Sequence, residues 1–240
     1  MKSDYLVEEL KGHPLFQEGN LVTFRNRLIT WGRKNFQQFP WRETGDPYAI
    51  LVAEIMLHRT QVKQVVPIYT DFIKRFPDIV TVHKADESSI LSSIKGLGLS
   101  WRARLFKEMA DDICKNYLST IPQEKEALVS LPGVNDYIAS AVRSFAWGYP
   151  DPVMDTNIVR IIGRLFGFEV KDSSRRNPRL HILIEKLVDI KDSTSFNYAM
   201  LDLAHLLCHR KIEPICDDCP IGVFCCYKVQ KSLTSTSEGT

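Results

Sequence analysis

Five of the six cysteines fall within nineteen residues: Cys208, Cys216, Cys219, Cys225 and Cys226. Thiols at that density either close disulfides or bind a metal, and in a reducing compartment the clustering favours a metal. From Cys208 to Cys225 the spacing is C-x7-C-x2-C-x5-C. Four thiolates suit a zinc ion or an iron–sulfur cluster, although a zinc ribbon usually shows two C-x2-C pairs and this run has one. Cys114 stands alone in the apolar stretch from Ala110 to Tyr117 and reads as an ordinary buried cysteine.

Two further segments carry chemistry of another kind. Leu131-Pro132-Gly133-Val134-Asn135 lies between a charged stretch, residues 124–129, and an apolar-faced helix that begins near Tyr137. A tight turn opening a helix leaves backbone N–H groups free to bind a phosphate without regard to base sequence. Gly133 can take positive φ, and Asn135 is the non-glycine residue that tolerates it best. A plain helix–helix connector would read the same way. Some twenty residues on, Val153-Met154-Asp155-Thr156-Asn157 delivers a carboxylate to the start of a helix. Asp155 reads there as an N-cap, as an anion held by the helix N-terminus and turned to a substrate, or as both. Glu54 sits in the apolar run Ile50 to Leu57, an expensive place for a carboxylate unless it is protonated or paired, for example with Arg42.

The elements that must position these residues are helical. Val65, Ile68, Tyr69, Phe72 and Phe76 share a face, as do Ile138, Ala141, Val142, Phe145 and Ala146, and then Ile158, Ile161, Ile162, Leu165 and Phe166. Breakers separate the runs at Pro40, Pro47, Gly96, Gly98, Pro122, Pro132-Gly133 and Gly148 to Pro152. No stretch alternates long enough to argue a sheet. The spacing predicts an all-α protein of about ten short helices. The 240 residues, 44% hydrophobic, are too apolar for a disordered chain, and 31 Lys+Arg against 29 Asp+Glu leave a net charge of +2 that marks no nucleic-acid partner. Any basic face must come from uneven distribution. No apolar run reaches the ~18 residues of a membrane helix, and the N-terminus lacks a secretory pattern, so an intracellular protein of the cytoplasm or nucleoid with no membrane partner is expected.

The pairing of Leu131-Pro132-Gly133-Val134-x-x-Tyr137 with Met154-Asp155-Thr156-Asn157-Ile158-Val159-Arg160 resembles the signature of the endonuclease III superfamily of helix-hairpin-helix DNA glycosylases. The resemblance extends through Phe39-Pro40-Trp41-Arg42, Asp46-Pro47-Tyr48, Ala53 to Val62 and Gly96-Leu97-Gly98-Leu99, and covers roughly residues 22 to 230. It implies two helical lobes with a DNA-binding groove between them. One is a six-helix lobe over 40–150 carrying the helix-hairpin-helix. The other combines 1–39 with 151–230 and carries a C-terminal [4Fe-4S] loop, while 231–240 form a flexible tail.

The resemblance also implies roles. Cys208, Cys216, Cys219 and Cys225 would hold the cluster, although the first gap has seven residues where the family usually has six, and Cys226 could replace Cys225. The loop His209-Arg210-Lys211 would face a phosphate. Leu131, Gly133, Val134, Asn135, His58, Arg59 and Gln61 would contact double-stranded DNA holding a mispaired or damaged base, with the protein acting as a monomer. Asp155 would be the catalytic anion, and Glu54 would protonate, hydrogen-bond or order water at the base. Relatives that also cut the strand carry a lysine where this chain has Tyr137, which implies base release without efficient strand cleavage. Tyrosine there is similar to two branches, the thymine(uracil)·guanine mismatch glycosylases and the adenine glycosylases. Leu57-His58-Arg59-Thr60-Gln61 and Gly98-Leu99-Ser100 are closer to the first, because a guanidinium suits the acceptors of guanine, and the chain stops after the cysteine loop, where adenine glycosylases usually carry a further domain. Adenine opposite 8-oxoguanine or guanine is the alternative substrate, and a non-catalytic DNA-binding protein on the same scaffold is the rival from another class.

Overall fold

The computed structural model describes residues 10–98 and 100–237. The described residues hold twelve α-helices and no strand, so the all-α expectation stands, with more helices than the spacing suggested. In chain order they are α1 (Asn20–Asn35), α2 (Pro47–Leu57), α3 (Val62–Arg75), α4 (Ile79–Lys84), α5 (Glu87–Ile94), α6 (Trp101–Asn116), α7 (Lys125–Ser130), α8 (Asp136–Trp147), α9 (Thr156–Phe166), α10 (Pro178–Leu187), α11 (Ser193–Leu206) and α12 (Cys226–Ser237). Leu99, part of the Gly98-Leu99-Ser100 comparison, lies outside the described residues.

Helices of this length are marginal alone, so caps and packing decide them. Asp46, Asp78, Asp86, Asn135, Asp155, Asn177 and Asp192 each accept a backbone N–H at the start of the helix that follows. Such a cap is worth ~1 kcal/mol. Pro47 and Pro178 sit at first-turn positions where the missing N–H costs nothing.

Residues 38–149 form one compact unit. Its central element is α2, in which every residue from Tyr48 to Met56 is buried. A helix apolar on all sides needs neighbours on all sides, and α2 packs on α3 and α8. The stripes expected on α3 and α8 are the buried faces: Val65, Tyr69 and Phe72 on one, Ile138, Ala141, Val142 and Phe145 on the other.

The described residues up to 37 and those from 150 onward form the second unit. Its core joins Phe24 and Leu28 of α1, Ile158, Ile162 and Leu165 of α9, Leu183 and Leu187 of α10, and Phe196 and Leu203 of α11. The tail expected from residue 231 has helical backbone as far as residue 237. Residues 231–237 continue α12, with Ser232 Oγ donating to the Lys228 carbonyl at 3.0 Å. Residues 238–240 lie outside the described residues. No described helix is long and apolar enough to cross a membrane.

Candidate functional site

Asp155 stands at the head of α9, half-buried, at the end of an apolar approach in which Val153 and Met154 are buried. The approach is pinned by Asn197 of α11, whose Nδ2 donates to the Asp151 carbonyl at 2.9 Å and whose Oδ1 accepts the Val153 N–H at 3.3 Å. Asp155 Oδ1 accepts the N–H groups of Asn157 and Ile158, both at 2.8 Å, and Oδ2 accepts from Asn157 Nδ2 at 2.6 Å. Asn157 is itself held by Arg160, whose Nη1 donates to Asn157 Oδ1 at 2.9 Å. The rest of the Arg160 fork donates to the Cys208 and Ala204 carbonyls, both at 3.0 Å. Burial, the largest cause, lowers the Arg160 pKa from its usual value. A continuous chain of hydrogen bonds thus runs from the Asp155 carboxylate to the first residue of the cysteine run. Sequence reasoning missed Asn157 and Arg160, although both lie in the motif that drew attention to Asp155.

The turn between α7 and α8 is tight: the Val134 N–H donates to the Leu131 carbonyl at 3.1 Å, and Gly133 takes φ +81°. A Cβ at Gly133 would also meet Leu105 Cδ1 at 2.9 Å. Leu131 and Val134 are buried, so only their backbone can face a ligand, while Gly133 and Asn135 are exposed. Asn135 tolerates positive φ but does not use it here. Asn135 is not left-handed but extended, with φ −113°, and it caps α8 by accepting the Ile138 N–H at 3.0 Å. The turn needs positive φ once, and Gly133 supplies it. Tyr137 follows in the first turn of α8, half-buried.

Glu54, 4% exposed, lies on the buried α2. Arg42 stacks over the Phe39 ring at 5.1 Å. Beyond the C-terminus of α2, His58 and Arg59 are exposed, and Gln61 precedes α3. Arg59 takes φ +62°, a strained backbone for any residue with a side chain. The loop is held by Arg102, a fully buried residue that sequence reasoning missed.

Cys208, Cys216, Cys219 and Cys225 line a single cavity with Arg164, Tyr227 and Lys228. Cys226 packs instead toward Gly167, so Cys225 is the fourth thiol of the set. Arg164 Nη1 donates to Cys208 Sγ at 3.1 Å, and Lys228 Nζ donates to the Cys216 carbonyl at 3.0 Å. A Cβ on Gly222 would come within 3.2 Å of the Cys216 carbonyl oxygen, so a side chain there would push the loop outward by a few tenths of an ångström. Burial pushes the Cys219 thiol up to about 12 and raises Cys216 and Cys225 as well. Among the described residues no three His, Cys, Asp or Glu side chains converge to hold a metal ion. Four cysteines lining one cavity match the ligands of a cluster in number and type. His209 is half-buried, and Arg210 and Lys211 are exposed.

Comparison with known proteins gives this arrangement a context. The model of the HhH-GPD superfamily of base excision DNA repair proteins matches residues 52–186. The thymine-DNA glycosylase of Aeropyrum pernix is 39% identical over 217 residues, covering 88% of this chain and 96% of that protein. The thymine/uracil-DNA glycosylase of Pyrobaculum aerophilum is 38% identical over 213 residues, 87% of this chain and 92% of that one. An adenine DNA glycosylase of Buchnera aphidicola is 32% identical over 85% of this chain but only 58% of its own length. Among solved structures, a thermostable thymine-DNA glycosylase matches with a TM-score of 0.80 at 32% identity, over 88% of this chain and 97% of that one.

Proposed function

This chain belongs to the HhH-GPD superfamily of base excision DNA repair proteins, and from that membership we propose that it is a monofunctional DNA glycosylase hydrolysing the N-glycosidic bond of thymine or uracil mispaired with guanine. The observation that carries the substrate is the 38–39% identity to thymine and thymine/uracil glycosylases over nearly their whole length. It acts as a monomer on intracellular double-stranded DNA.

Glycosidic cleavage passes through a cationic sugar, and the base must first leave the stack. Asp155 is the anion that stabilises this cation, fixed by the two N–H groups of α9 and by Asn157. The backbone of the 131–135 turn binds a phosphate, and Arg59 reads the guanine left behind, with His58 and Gln61 beside it. Glu54 hydrogen-bonds the extruded base or orders the attacking water. Tyr137 offers a phenol where an amine would open the route to strand cleavage, so the product is an abasic site on an intact strand.

We assign Cys208, Cys216, Cys219 and Cys225 to a [4Fe-4S] cluster that is structural when bound. A zinc ribbon usually shows two C-x2-C pairs and this run has one, which supports the cluster over a single zinc ion.

The burial of Glu54 favours one second reading, because a carboxylic acid kept protonated there would suit a departing adenine. Single-turnover assays on T·G, U·G, A·G and A·8-oxoguanine duplexes decide between them. Thymine and uracil should leave fastest, and strands should break only after alkali. Faster release of adenine would overturn the assignment of substrate.

A further inference from the structure

Arg102, in the first turn of α6, is fully buried. Its Nη1 donates to the Met56 carbonyl at 2.9 Å, and its Nη2 donates to Thr60 Oγ1 at 2.9 Å and to the His58 carbonyl. All three acceptors lie within residues 56–60, where α2 ends. None is a carboxylate, and Nε is buried with no hydrogen-bond partner. A cation in such a place is costly, offset in part by the negative end of the α2 dipole. An apolar residue would fill the volume without that cost, so the fork itself is what the site uses: rigid, planar and able to hold several acceptors in fixed directions.

The fork closes around one residue. Arg59 lies between the two points held by Nη2, the His58 carbonyl and the Thr60 hydroxyl, and its backbone is left-handed, with φ +62°. An arginine stays in that region only where its surroundings over-determine it. The Arg59 side chain is exposed while the backbone on either side is tied down. Trp101, next to the clamp and 48% exposed, has its ring 5.8 Å from the Arg102 guanidinium carbon, so the start of α6 and the loop after α2 are joined at one buried charge.

We infer that Arg102 is the positioning residue of the opposite-base reader: by clamping the backbone on both sides of Arg59 it fixes the direction in which the Arg59 guanidinium is presented, without touching DNA itself. This rests on the reading of Arg59 as the residue that recognises guanine.

The test measures affinity for duplexes carrying an abasic-site analogue opposite guanine or opposite adenine. Wild type should prefer guanine by roughly 10-fold or more, the worth of one bidentate base contact. Arg59→Ala should remove that preference. Arg102→Lys keeps the charge but loses the fork, and should bring the preference down to nearly the Arg59→Ala value. Thr60→Val removes a single acceptor at a half-buried position and should reduce it about threefold; it carries the test if Arg102→Lys does not fold. In an Arg59→Ala background neither change should alter the ratio further, because the clamp acts only through Arg59. An unchanged ratio in Thr60→Val and Arg102→Lys would overturn the inference. So would equal weakening on both duplexes, the mark of structural damage, or a loss that multiplies with Arg59→Ala. The ratio does not depend on which base is excised, so the release assays on mismatched duplexes judge the substrate separately.

Discussion

Asp155→Asn separates two duties of one side chain. Asparagine caps a helix about as well as aspartate, so thermal stability should hold, while loss of the anion should lower single-turnover base release by ~10²–10³-fold. Asp155→Ala should lose both, with ~1 kcal/mol of stability gone as well. Near-normal turnover in the asparagine variant would reduce Asp155 to a cap. The sequence could not have singled it out on capping alone, because Asp46, Asp78, Asp86 and Asp192 cap helices in the same way. Its distance from the Gly133 turn made the difference. The partners that set its direction, Asn157, Arg160 and Asn197, were not legible, because neither side-chain bonds within one helix turn nor those to distant segments leave a periodic trace. Arg102 did leave one: it falls in phase with Phe106, Met109 and Ile113 on the buried stripe of α6, and a charge in that phase marks a buried cation.

At the scale of elements, the apolar stripes of α8 and α9 were read correctly because burial imposes a period. The turn between α7 and α8 was read for its glycine but not for the capping duty of Asn135, because a cap and a left-handed residue draw on the same amino acids. Gly133→Val places a branched side chain at φ +81° and against Leu105, and should cost about 1–3 kcal/mol in chemical denaturation. It should weaken mismatched and matched duplexes alike, as loss of a phosphate contact does. A second case lies ahead of α1. His13 Nδ1 accepts the Leu15 N–H at 3.2 Å, so the proton is on Nε2, which donates to the Leu165 carbonyl at 3.1 Å. Burial against Phe166 lowers its pKa below 6.5. As pH falls, the unfolded chain takes up this proton first, so the stability His13 contributes above pH 6.5 is lost as the pH drops toward the lower folded value. The melting temperature should therefore fall between pH 7 and 5, and less steeply in His13→Gln. Parallel curves for the two proteins would remove His13 as the cause.

At the scale of the whole molecule, the cysteine spacing located the loop, but the hydrogen-bonded path from Cys208 through Arg160 and Asn157 to Asp155 emerges only from the fold. Thiols raised by burial must release protons to bind iron. With a cluster on these four cysteines, purified protein should be brown, with absorbance near ~400 nm, and Cys219→Ser should bleach it and lower base release together. Colourless protein containing zinc would refute the cluster. The division of the chain also sets an order in time. Residues 38–149 are continuous, so every partner they need has been made once Tyr149 leaves the ribosome. By contrast, α1 packs on α11, which begins at Ser193. At 5–20 residues per second, Phe24 and Leu28 wait about 10–30 s on a nascent chain before Phe196 and Leu203 exist to cover them. On a nascent chain α1 therefore waits longer for α11 than α2 waits for α8, and its apolar face stays open to a chaperone for that time.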